Sequence, residues 1–167
     1  MSMPNLIPRA AEPADLVPLA ELWATRWCDA HEANSPPELT ALRTPADFLR
    51  RLKGFGTGLR VIGPVGAPLG FVVVLGHHID QLFIARSLQG QGAADLLVAE
   101  ALGRIAAAGH AEAQLECAPG MAHAAAYYRK SGWSLRGTET VSVDTSNGPY
   151  AIDLLIFTRP TKRPESS

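Results

Sequence analysis

The chain holds 167 residues, enough for one domain that buries about 70% of its unfolded surface without a disulfide or metal staple. A formal net charge of -1 argues against a nucleic-acid or anionic-membrane partner, since either favours a basic face. Cys28 and Cys117 form no CxxC pair and read as reduced thiols of a cytoplasmic protein.

The first residues lack a basic stretch followed by an unbroken apolar run, so no signal peptide is expected. No apolar run reaches about 18 residues, so no transmembrane helix is expected either. "NLIPRAA" reads as a short first strand. Asp15 is placed to cap a helix over Leu16 to Asp29, whose Leu16, Leu19, Leu22 and Trp23 fall at helical spacing. "HEANSPPEL" reads as a loop. Thr44 with Asp47 three residues on resembles a capping box opening a short helix through Leu52.

"LRVIG" and "LGFVVVLG" flank the turn segment "PVGAP" and read as a hairpin. "IDQLFIA" reads as a third strand, buried on both faces. A helix is expected from Gln91 to Ala108, with Gly109 in the C-cap place. A strand "AQLECA" and a helix from Ala122 to Ser131, stopped by Gly132, come next. "WSLRGTETVSVD" and "YAIDLLIFT" read as final strands around the turn "TSNGP". Strands gathered between helices predict a mixed α/β sheet in a single domain over residues 1–160, with 161–167 as a flexible tail.

"QGQGAAD" sits between an expected strand and an expected helix. A helix start leaves backbone N–H groups unpaired and carries partial positive charge, and glycine lets an anion approach closely. Amides near Gln91 to Asp95 are therefore candidates for a pyrophosphate cradle, although glycines before a helix can also simply make a turn. Neither the dinucleotide fingerprint GxGxxG nor a Walker A loop fits the string.

A second segment adds to this. Gln89, Gly92 and Ala94 match Q/R-x-x-G-x-G/A, and Ala124, Tyr127, Tyr128, Gly132 and Trp133 match A-x-x-F/Y-Y-x-x-x-G-F/W downstream. In these two motifs, in this order, the chain resembles the GNAT superfamily of N-acetyltransferases, from Leu6 to Thr158. The resemblance implies a sheet of about six to seven strands, splayed at the cofactor site and flanked by about four helices. It implies acetyl-CoA as cosubstrate and a small-molecule or protein amine as acceptor. Pantetheine would pair with Leu82, Phe83 and Ile84, and pyrophosphate would sit on Gln89, Gly90, Gln91, Gly92, Ala93, Ala94 and Asp95. It also makes Tyr128 the general acid to the thiolate of coenzyme A, in direct attack within a ternary complex. Many relatives have Asn where Met121 stands and Arg where Gln89 stands; Arg86, Arg129 and Lys130 are the nearby cations that could compensate.

For the base, Asp80 and Glu116 lie on the two central strands, with His77 and His78 in the turn before the first. Trp27 and His31 share a helical face with Trp23, which reads as a core stripe or as one wall of an acceptor pocket. Cys117 reads as a small core residue. A metal site is not expected, because no HxH, HExxH or CxxC spacing occurs. A homodimer is compatible with the family. The same fold holding acetyl-CoA without turnover is the other reading the sequence leaves open.

Overall fold

A computed structural model describes residues 6–31 and 35–161, leaving aside the side chains of residues 30 and 31. His31 as a pocket residue therefore falls outside the described side chains, as do residues 162–167 of the expected tail. In chain order the elements are β1 (Arg9–Ala10), α1 (Leu16–His31), α2 (Pro37–Leu42), α3 (Pro45–Gly54), β2 (Leu59–Ile62), β3 (Gly70–Leu75) and β4 (His78–Ile84). They continue with α4 (Ala93–Ala107), β5 (Glu112–Cys117), α5 (Ala122–Lys130), β6 (Ser134–Val143) and β7 (Tyr150–Pro160).

The seven strands form one mixed sheet in the order β1-β2-β3-β4-β5-β7-β6. Neighbours are antiparallel except β4 and β5, which run parallel and are joined by the crossover helix α4. Apolar side chains cover both faces. On one, Ile62, Val72, Leu97, Ile105, Leu115 and Phe157 pack with α4. On the other, Leu19, Trp23, Phe48, Leu52, Val61, Phe71 and Val73 pack with α1 and α3. Strand β3 shows why both form: Phe71 and Val73 point to one cluster, Val72 to the other, as period-two alternation dictates.

Four expectations need correction. "HEANSPPEL" is not loop throughout: Pro37 occupies the first turn of α2, where its missing N–H costs nothing, so there are five helices among the described residues. Asp15 does not cap α1. It sits in a 3-10 turn, Pro13–Asp15, and accepts from the Glu12 N–H at 2.8 Å and the Gly66 N–H at 2.9 Å. His78 is the first residue of β4 rather than part of the turn. Strand β4 is mostly half-buried, not sealed on both faces, because it diverges from its neighbour β5. Thr44 does cap α3, its Oγ1 accepting from the Asp47 N–H at 3.2 Å.

The Asp15 carboxylate also pairs with Arg9 at 2.7 Å, and its side chain is sealed from solvent. The Arg9 hydrogen bond, with the two backbone amides, outweighs burial and holds its pKa at about 2, below the ordinary 3.8. A carboxyl depressed on folding stabilises above its unfolded pKa and loses that contribution as pH falls through the folded value; here the contribution is about 2 kcal/mol. Denaturant titrations should therefore show the wild type losing this increment between about pH 4 and pH 2, with Asp15→Asn already lacking it at neutral pH. A variant whose stability at pH 7 matched the wild type would overturn that assignment.

Candidate active site

Among the described residues the register of β4 with β5 joins His78 to Gln114 and nothing beyond. From Ile79 onward the two strands separate. On its other edge β4 pairs with β3 along its length, with one bulge: Val73 faces Gln81 and Val74 faces Ile79, which makes Asp80 the extra residue. Bulges re-aim side chains and recur beside active sites. A cleft of about 1320 Å³ opens over this divergence. It runs from the head of α4, past β4, β5 and α5, to α1, α3 and the end of the β6–β7 hairpin.

At the head of α4, Gly90 and Gly92 take left-handed φ values of 74° and 81°. A Cβ at either would meet nothing within 4 Å. Gly92 supplies no side-chain cap, and the first helical bond runs from the Leu96 N–H to the Gly92 carbonyl. The amides of Ala93, Ala94 and Asp95 thus have no backbone acceptor among the described residues. Gln91 does not join them: its N–H is spent on the Leu88 carbonyl and its side chain on the Ser87 carbonyl. Uncapped amides at a helix start, beside glycines whose missing side chains leave open space, suit a pyrophosphate. Gln89 and Gly90 line the same end of the cleft.

On α5, Tyr128 packs its ring against Phe157 and Trp133, with centroids 5.6 Å and 6.3 Å away. Its hydroxyl has no hydrogen-bond partner among the described residues, and the side chain lines the cleft with Cys117 and Ile84. Burial, with Cys117 and Tyr127 beside it, pushes its pKa up, so the phenol stays protonated. Tyr127 behaves differently: its hydroxyl donates to Asp95, tying α5 to the first turn of α4. Burial first, then Asp95, raises its pKa to about 12. Met121, at the N-cap position of α5, gives the helix no side-chain cap.

Both candidate carboxylates line the cleft. Asp80 has one weak contact, from Gln81 Nε2 at 3.4 Å. Glu116 accepts from Gln114 Nε2 at 3.1 Å and lies 3.4 Å from His78 Nδ1. Cys117 is buried, which raises its thiol pKa, as a small core residue's would be.

The family model described as an acetyltransferase (GNAT) domain matches residues 64–154. The chain belongs to the GNAT acetyltransferase family. Peptidyl-lysine N-acetyltransferase YjaB of Salmonella typhimurium is 31% identical over 98 residues, covering 54% of this chain and 57% of that one. The chain thus aligns with little more than half the length of that curated relative. Two solved structures share the fold over nearly their whole length. A GCN5-related N-acetyltransferase from Rhodopseudomonas palustris has a TM-score of 0.71 at 19% identity, covering 96% of this chain and 98% of its own. The PaiA N-acetyltransferase of Thermoplasma acidophilum, solved with coenzyme A, has 0.68 at 14%, covering 94% and 99%.

Within this GNAT fold, Leu82, Phe83, Ile84, Gln89, Gly90, Gly92, Ala93, Ala94, Asp95, Tyr128, Asp80, Glu116 and Trp27 all line one cleft. Trp23 belongs to the core, 4.4 Å from Phe48, whereas Trp27 is both core and cleft edge. Of the compensating cations, Arg86 is held by Asp29 at 2.6 Å, while Arg129 and Lys130 are exposed. Sequence reasoning missed Arg43, Arg50 and Arg51, which reach the cleft from α3 and the residues before it. Their spacing carried a helical signal but no sign that this face turns inward. No helix among the described residues is long and apolar enough to cross a membrane. No cluster of three or more His, Cys, Asp or Glu suited to a metal occurs there either.

Proposed function

We propose that the protein is an acetyl-CoA-dependent N-acetyltransferase acting on a primary amine by direct attack in a ternary complex. The observation that carries this reading is the Tyr128 hydroxyl, without a hydrogen-bond partner among the described residues and lining the gap where β4 leaves β5. The backbone of Leu82 to Ile84 holds pantetheine along β4, where an amide polarises the reacting carbonyl as an oxyanion hole would. The Ala93, Ala94 and Asp95 amides hold the pyrophosphate, with Gln89, Gly90 and Gly92 shaping the approach. Bound acetyl-CoA supplies the acetyl group as a thioester. Asp80 or Glu116 takes a proton from the acceptor ammonium, directly or through water. The neutral amine then forms the C–N bond as the C–S bond breaks; Tyr128 gives its proton to the departing thiolate, and the proton shed by the new amide nitrogen restores the phenol.

Thiol release from acetyl-CoA across a broad panel of primary amines tests this. At least one amine should drive release that neither protein nor amine gives alone. Binding of acetyl-CoA without release across the panel would replace the enzyme with a non-catalytic acetyl-CoA-binding module of the same fold.

A further inference from the structure

The far end of the cleft, away from the α4 glycines, is built from arginines. Arg43 and Arg51 are 7% and 8% exposed, and Arg50 stands beside them. Two of the carboxylates near this group are engaged with Arg43 and Arg50. Asp47 accepts from Arg43 at 3.1 Å and from Arg50 at 2.8 Å. Asp144 accepts from Arg50 at 3.1 Å, while its backbone carbonyl accepts from Arg43 at 2.6 Å.

Arg51 is left over. Among the described residues its guanidinium makes no hydrogen bond or ion pair, and its Nε is sealed without an acceptor. It rests 4.5 Å from the centroid of the Trp23 ring. A cation–π contact recovers only part of what desolvating a guanidinium costs, and buried cations are normally paired. Burial, reinforced by Arg43, lowers its pKa to about 10, so it remains charged at neutral pH. Three carboxylates act on it electrostatically, Asp80 most and then Asp47 and Asp144; of these Asp80, at the β4 bulge and facing the cleft, is the one not engaged by another arginine.

We infer that Arg51 is the anchor for a carboxylate carried by the acceptor itself, so that the substrate class is a free amino acid or a small amine bearing its own carboxylate. The inference rests on the acetyltransferase reading for its chemistry. A zwitterion matches the two free charges of this end: its carboxylate takes the Arg51 fork, which suits bidentate recognition, and its ammonium lies towards Asp80. A lysine side chain within a peptide brings no carboxylate to Arg51 and leaves that cation unpaired.

Calorimetry with product mimics tests the anchor without needing turnover. The twenty N-acetyl-L-amino acids are each paired with their N-acetyl carboxamides and titrated into the wild-type protein with coenzyme A present. At least one acid should bind tenfold or more tightly than its amide. Arg51→Met should erase that difference while keeping acetyl-CoA affinity, and Arg51→Lys should retain part of it. Acids that bind no better than their amides, or discrimination that survives Arg51→Met, would overturn the proposal. If Arg51→Met does not fold, the wild-type comparison decides alone. The free amino acids, decarboxylated amines and a lysine peptide are then assayed for thiol release. Discrimination without release would leave the anchor standing and remove the enzyme reading. Release with amines lacking a carboxylate at equal kcat/KM would do the reverse.

Discussion

Replacing Tyr128 by phenylalanine is expected to lower kcat by roughly 10²-fold or more, the usual contribution of a positioned general acid. The ring contacts with Phe157 and Trp133 remain, so the fold and acetyl-CoA affinity should change little. A phenol is protonated at neutral pH in any case; burial raises its pKa further, and that has a consequence at alkaline pH. A group needed in its acid form loses activity as pH rises through its pKa. In the wild type that alkaline loss should fall above the ordinary tyrosine range near 10. Stopped-flow or steady-state rates at saturating acceptor, followed from neutral to alkaline pH, check both statements. A variant with unchanged kcat would remove Tyr128 from the proton path and leave it as a packing residue.

Gly92→Val is expected to weaken coenzyme A binding by roughly tenfold or more. A side chain at φ 81° carries a left-handed penalty of about 1–2 kcal/mol, and a branched one more. The new Cβ meets no described protein atom within 4 Å, and Gly92 lines the cleft beside the uncapped amides, so the added bulk is expected to compete with a bound phosphate there. Gly109 provides the control. It has a comparable φ of 96°, equally open surroundings, and a place beyond the opposite end of α4. Gly109→Val should cost similar stability and leave coenzyme A affinity unchanged. Equal losses of affinity in the two variants would mean that backbone strain, and not obstruction of a phosphate site, explains the effect.

The residues gathered at the candidate donor end of the cleft could be picked out in the sequence because their signals are local. A glycine loop before a helix, and a tyrosine at fixed distance downstream, are written in short strings whose geometry the backbone enforces. Strand and helix placement followed from periodicity for the same reason. Asp15 was misread because its partners Arg9 and Gly66 depend on strand and turn placement, and an acid at a helix start looks like a cap in the string alone. The pair of prolines before Glu38 looked like loop, although proline at a first helical position is a start signal. The divergence of β4 from β5 was implied only by the family resemblance and left no trace in the composition of "IDQLFIA", which reads like a strand paired on both sides. The acceptor end was hidden most completely. Arg43 meets Asp144 across 101 positions of sequence, a contact that only the closed fold creates.

The half-open seam between β4 and β5 also bears on how the molecule holds together. Within the sheet one residue pair joins β4 to β5; the core around α4, the Tyr127–Asp95 bond and the Arg43 and Arg50 bonds to Asp144 hold the two parts elsewhere, and much of the remaining seam is a cleft. In the proposed complex, pantetheine bridges that seam and acts as an added strand. Substrate then contributes to mechanical coherence as well as to chemistry. Amide exchange along β4 should slow when coenzyme A binds, and motions of the two parts should become correlated.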